Sequence, residues 1–169
     1  MDGATQAILG ERIVEEVTSW AMFSPCRTHR FILGRKWSDK PLVMFIGLNP
    51  STADETKNDP TVRRCIGYAR DWGYGGLLMT NIFAYRSTDP KWLLECQDPV
   101  GTGNDDALLQ CYQEADIAIA AWGTHGTLMD RNLAVRKLLP KLHYLRLTKD
   151  GHPSHPLYLP KALRPTLWP

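Results

Sequence analysis

The sequence predicts a three-layer α/β/α domain around a central parallel four-stranded sheet. Residues 42–46, 77–81, 117–122 and 144–148 read as short strands apolar on both faces. Helical stretches lie between them, and strand alternating with helix implies parallel pairing through right-handed crossovers, with helices on both faces. Ligands of such open sheets bind beyond the carboxyl ends of the strands, and the chemically unusual residues fall there.

In chain order, residues 4–20 place Ile13, Val17 and Trp20 at helical spacing among Glu11, Glu15 and Glu16, which predicts an amphipathic helix ending at Ser24-Pro25. His29 to Trp37 reads as extended, Ser38 to Pro41 as a turn, and Leu42 to Ile46 as a buried strand stopping at Gly47-Leu48-Asn49-Pro50. Asp59-Pro60 starts a helix as cap and first residue, and Gly73 stops it. The strand Leu77 to Asn81 follows, then a helix from about Asn104, the strand Ile117 to Trp122, a helix over Thr127 to Leu139, and the strand Tyr144 to Thr148. All 169 residues form one expected domain, with 1–28 an N-terminal helix and extension and 29–169 the core.

Composition narrows the class. Apolar residues are 43% and charged residues 22%, ordinary for a folded globular chain. Cys26, Cys65, Cys96 and Cys111 are dispersed with no C-x-x-C pair, so free thiols in a reducing cytoplasm are expected, and no metal or other cofactor. The longest apolar runs fall far short of a membrane span, and no obligate protein partner is implied. Charge is uneven: from Arg131 onward eight basic residues stand against Asp150 alone, a local +7 in a chain of net charge +2. Such a surface suits a polyanion such as DNA, and a solvated helix face plus a basic tail accounts for it equally well.

Two loops concentrate the candidate chemistry. Gly47-Leu48-Asn49-Pro50-Ser51 ends one strand with a glycine, an amide, a rigid proline and a hydroxyl, which suits either close ligand approach or a plain turn. His152-Pro153-Ser154-His155-Pro156-Leu157 is denied regular structure by its prolines and offers two imidazoles and a hydroxyl beside a basic stretch. Asn81 terminates another strand with an amide able to read a planar base edge. Asn49, Asn81 and His152 are expected to converge on one pocket.

In order, these pieces resemble the uracil-DNA glycosylase superfamily. Gly47-Leu48-Asn49-Pro50 is similar to its G-x-[D/N]-P motif, Leu77 to Asn81 to its base-reading strand, Ala121-Trp122-Gly123-Thr124 to its L-W-G-x segment, and residues 152–157 to its H-P-S-P-L loop with one histidine inserted. The chain after about Arg30 is also similar to a bacterial and phage family of unknown function marked by L-N-P-S-T-A-D, D-P-T-x-R-R-C, N-x-F-A-Y-R, A-W-G and T-K-D-G-H-P-x-H-P-L-Y.

The superfamily resemblance implies hydrolysis of the N-glycosidic bond of a flipped uracil, mismatched or modified base in DNA, as in repair or phage defence. It assigns Asn49 to the attacking water, Asn81 to the base, His152 to the departing base, Leu157 to a wedge, and Ser51 and Ser154 to phosphates. Gly47, Leu48, Pro50, Trp122, Gly123 and His155 would line the substrate, and Arg63, Arg64 and Lys149 would meet the DNA backbone. The chain departs from the superfamily in lacking a carboxylate at the third motif position and in inserting His155. Replacing Asn49 by Asp is therefore expected to raise activity. The same fold as a non-catalytic base-binding module, or as an enzyme on free nucleotides, stays open.

Overall fold

The apolar run after residue 41 forms β5 (Leu42–Gly47), and its lack of alternation follows from having a core on each side. Met44 and Ile46 pack with Ala107, Leu108 and Cys111 of α3 (Asn104–Glu114) and with Val135 of α4 (Arg131–Leu138). Val43 and Phe45 pack with Val62, Cys65, Tyr68 and Ala69 of α1 (Pro60–Asp71). Helices therefore cover both faces of a mixed α/β sheet.

The computed structural model describes residues 7–9, 12–14 and 16–169. Among these, β3 (Thr18–Phe23), β4 (Arg30–Lys36), β6 (Gly76–Asn81), β5, β7 (Ile117–Ala120), β8 (His143–Tyr144) and β9 (Thr166–Leu167) lie in that order in one seven-stranded sheet. β5 pairs parallel with both β6 and β7, and β7 pairs parallel with β8, whereas β3, β4 and β9 are joined antiparallel. A four-stranded parallel sheet is thus replaced by a larger mixed one. The last parallel strand is two residues long, because the chain after Tyr144 pairs with itself: Leu147 bridges Pro153, and Thr148 and His152 share a turn.

The expected N-terminal helix is also corrected. β1 (Ala7–Leu9) and β2 (Arg12–Val14) pair antiparallel with each other, and β3 runs along β4. Residues 4–6, 10, 11 and 15 of the expected helix lie outside the described residues. For Thr18–Phe23 the physical reason is the open edge of β4, whose backbone groups β3 satisfies. Trp20 covers Gly34 so closely that a Cβ there would come within 2.1 Å of the indole. The helix expected over Thr127 to Leu139 starts later, because Met129 and Asp130 take positive φ and separate a 3-10 turn from α4.

α1 begins and ends as its sequence implies. Asp59 accepts from the Val62 amide at 2.9 Å, Pro60 opens the first turn, and Gly73 at φ +83° stops it. The short α2 (Trp92–Glu95) contributes Leu93 to the α3 side of the core. All four cysteines are free, with Cys65 and Cys111 buried and Cys26 exposed. Among the described residues no helix is long and apolar enough to cross a membrane.

Candidate functional site

The carboxyl ends of β5 and β6 open onto a cavity of about 410 Å³, in the size range of small-molecule sites. Its floor is apolar, from Phe45, Met79, Val62, Cys65 and Ala121. Polar groups ring it: Asn49, Asn81, Arg30, Asp59 and His155, with the hydroxyls of Ser51 and Thr88.

Asn81 is the last residue of β6 and is 6% exposed. Its backbone is clamped: Asn104 Nδ2 donates to the Asn81 carbonyl at 3.0 Å, and Arg131 Nε donates to the Ile82 carbonyl at 2.7 Å. Its side chain lies over Gly47, its register partner, where a Cβ would come within 2.7 Å of Asn81 Oδ1. That close approach is what the glycine permits. Among the described residues the Asn81 amide has no hydrogen-bond partner, so its donor and acceptor are left for a ligand.

Asn49 is used differently. Its Nδ2 donates to the carbonyls of Ser87 at 2.9 Å and Pro50 at 3.2 Å, with Tyr85 at 3.5 Å. Three surrounding acceptors fix the amide's orientation, leaving Oδ1 as its remaining functional atom. Backbone bonds join the same two loops, from Ile82 to Gly47, Phe83 to Leu48 and Ser87 to Pro50. Leu48, Pro50 and Ser51 follow into the lining, as do Ser87 and Thr88, which the sequence reading did not single out as site residues.

The opposite wall comes from the final loop. Gly123, at φ +71°, donates its amide to the Pro153 carbonyl at 2.7 Å and so seats the loop against the end of β7. His155 Nδ1 accepts from the Leu157 amide at 3.2 Å, which places the neutral ring's proton on Nε2. Burial holds this imidazole below its ordinary pKa, against the opposing pull of Asp59. Leu157 lines both this cavity and a neighbouring surface hollow with Arg63, Arg64 and Lys161.

His152 does not join Asn49 and Asn81. It sits in the 148–152 turn, its carbonyl bonded to the Thr148 amide, and His155 reaches the cavity instead. Lys149 is exposed in that turn, Ser154 is bonded through its amide to the Arg146 carbonyl, and Trp122 is a core residue packed on Trp168 at 5.9 Å between ring centres. Arg64 donates to the Leu159 carbonyl, and Arg63 to that of Asn58 at 2.9 Å. Tyr158, 89% exposed, also stands in the cavity's lining.

Of the other acidic residues near the first motif, Asp54 caps the Thr56 and Lys57 amides, and Glu55 pairs with Arg27. Asp59 alone of the three lines the cavity, with Oδ1 engaged by α1. Arg30 was missed by the sequence reading because it precedes every motif. β4 runs antiparallel to β6, so its first residue arrives at the same sheet end as Asn81.

No curated protein and no solved structure is found to match the chain. A family model does match, over residues 30–157, a span running from Arg30 to Leu157. The chain therefore belongs to the family described as protein of unknown function (DUF1643).

Proposed function

We propose that the cavity receives an extruded DNA base and that the protein hydrolyses its N-glycosidic bond, on a fold like that of the uracil-DNA glycosylases. The observation that carries this reading is Asn81: a nearly buried amide, clamped from behind, without a partner and facing a cavity with an apolar floor. Once a ligand closes the cavity, leaving this amide unpaired costs about 1–3 kcal/mol, so a base edge offering the complementary donor and acceptor is favoured over one that does not.

In the proposed step, Asn49 Oδ1 accepts a hydrogen bond from a water that attacks C1′. The C1′–N bond breaks, its electron pair leaves with the base, and the water's released proton passes to Asp59. His155 Nε2–H donates to the departing anion. Comparable donors to developing anions are worth roughly 2.7–4 kcal/mol. Leu157, at the rim, fills the gap left in the stack. The basic C-terminal segment supplies phosphate contacts, which makes affinity for DNA fall steeply with salt.

A second reading, a base-binding module without cleavage, is favoured by two specific observations. The Asn49 amide is committed to backbone carbonyls, and Asp59 is committed to capping α1. The deciding experiment incubates the protein with duplex and single-stranded oligonucleotides carrying uracil, mismatches or modified bases, followed by alkali to cut abasic sites. Cleavage of one substrate, with base preference lost in Asn81→Ala, is expected. Intact DNA that still binds in an Asn81-dependent way establishes the second reading.

A further inference from the structure

Among the described residues three arginines are buried, and two of them are well satisfied. Arg35 donates from all three nitrogens, to Asn58 Oδ1 and to the carbonyls of Trp20, Gly34, Asp54 and Lys57, at 2.7–3.3 Å. Arg131 reaches the Ile82 carbonyl and the Asp105 carboxylate. Arg30 is different. It is 3% exposed and has a single side-chain bond, Nη1 to the Ala53 carbonyl at 3.0 Å.

Its Nε is buried without a partner, and Nη2 also has none among the described residues. Asp59, on the same cavity, acts on the Arg30 charge from a distance, but among the described residues it makes no salt-bridge contact and accepts from neither Nε nor Nη2. A buried cation this short of acceptors is costly unless something else supplies them. What remains accessible of Arg30 lines the cavity that Asn81 lines.

We propose that Arg30 anchors a second subsite in this cavity, which takes a phosphate group of the nucleotide whose base meets Asn81. This rests on reading the cavity as a nucleotide site. The Ser51 and Thr88 hydroxyls, also in the lining, have no side-chain hydrogen bonds among the described residues and add donors a phosphate can use. A planar guanidinium fork matches phosphate oxygens in a way an ammonium does not. Burial draws the Arg30 pKa down to about 10, so the group stays cationic at neutral pH. The phosphate has two sources, a free nucleoside monophosphate or a nucleotide within a strand, and the test separates them.

Wild type, Arg30→Lys, Arg30→Gln and Asn81→Ala are titrated with deoxynucleosides, their 5′-monophosphates, short single-stranded oligonucleotides and inorganic phosphate. In wild type, the phosphate is expected to strengthen binding about tenfold or more over the bare nucleoside. Arg30→Gln removes that advantage and spares nucleoside binding, while Arg30→Lys retains part of it. Tighter binding of the monophosphate than of the oligonucleotide assigns the free source, and the reverse order assigns the strand. Equal affinity for nucleoside and nucleotide in wild type, or an advantage that survives Arg30→Gln, overturns the proposal, as does a folded wild type that binds none of the probes. Should Arg30→Gln not fold, an advantage undiminished in Arg30→Lys overturns it. Absence of base preference with the phosphate advantage intact, and phosphate still competing in Asn81→Ala, sinks the base-reading role of Asn81 and leaves the Arg30 subsite standing.

Discussion

The two walls of the cavity are held by different kinds of bond. On the wall from β5 and β6, loop is joined to loop: three backbone hydrogen bonds and the Asn49 amide tie residues 47–50 to residues 82–87. On the wall from the final loop, helix side chains hold backbone carbonyls: Arg64 donates to Leu159, Tyr68 to Pro160 at 2.7 Å, and Trp72 to Leu163 at 3.1 Å. The first wall is continuous with two central strands and can move only if the sheet does. The second is seated on the end of β7 by the Gly123–Pro153 bond, and past His155 it is carried by α1 and its cap residue Trp72. The stretch from Leu157 to Leu163 can therefore shift when those few side-chain bonds exchange. Under the proposed function the first arrangement serves base reading, since it keeps the one unpaired amide, Asn81, aimed without reorganisation while Asn49 is tied to the backbone. A rim that must part for a ligand gains from the second.

The sharpest way to break this contrast is Asn49→Asp. Judged by residue type alone, Asp adds a base beside the water. The structure argues the opposite outcome, because a carboxylate oxygen would replace Nδ2 among the carbonyls of Ser87, Pro50 and Tyr85. The expected cost is about 1–3 kcal/mol, or roughly 2–12 °C in Tm, together with weaker ligand binding. Thermal melts check this, and an unchanged Tm with higher activity would show that the first wall is not held as described.

Arg64→Ala tests the second wall and should do less globally. About 1 kcal/mol or less of stability is expected to be lost, while amide exchange at Leu157 and Leu159 rises and ligand dissociates a few-fold faster. Exchange confined to residues 47–50 would reverse the assignment of the two walls.

The smallest effect is a pH response from His155. Its folded pKa lies below the unfolded value of about 6.5, so the unfolded chain binds the proton first and the contribution to stability declines as pH falls from there. Ligand binding that uses the neutral Nε2–H is expected to hold constant from pH 8 to about 6.5 and weaken only below it. Weakening that begins above pH 6.5, or that persists in His155→Gln, would remove His155 from the site.

Much of the chain was legible because it depends on local rules. Leu42 to Ile46 is apolar at every position, which only a strand with two cores requires, and Asp59-Pro60 with Gly73 marks both ends of α1. The Gly47 to Ser51 loop and Asn81 could be read as site residues because they end such strands. Residues 7–9, 12–14 and 18–20 were misread since Ile13, Val17 and Trp20 satisfy a helical spacing, whereas for Thr18–Phe23 the deciding fact is the free edge of β4, a partner distant in sequence.

The two histidines of the final loop carry nearly identical local context, each followed by proline. The Leu147–Pro153 bridge and the Thr148–His152 turn, which fold His152 back while His155 lines the cavity, tell them apart. Arg30 and Arg35 likewise stand on one strand with similar burial, yet five acceptors gather around one and a single carbonyl around the other. The sequence by itself determined the alternation of strands and helices and the strand ends where chemistry collects, because burial pattern and caps act over a few residues. Which side chains are satisfied and which are left open to a ligand was decided by the tertiary structure, because hydrogen-bond partners come from segments the chain order does not bring together.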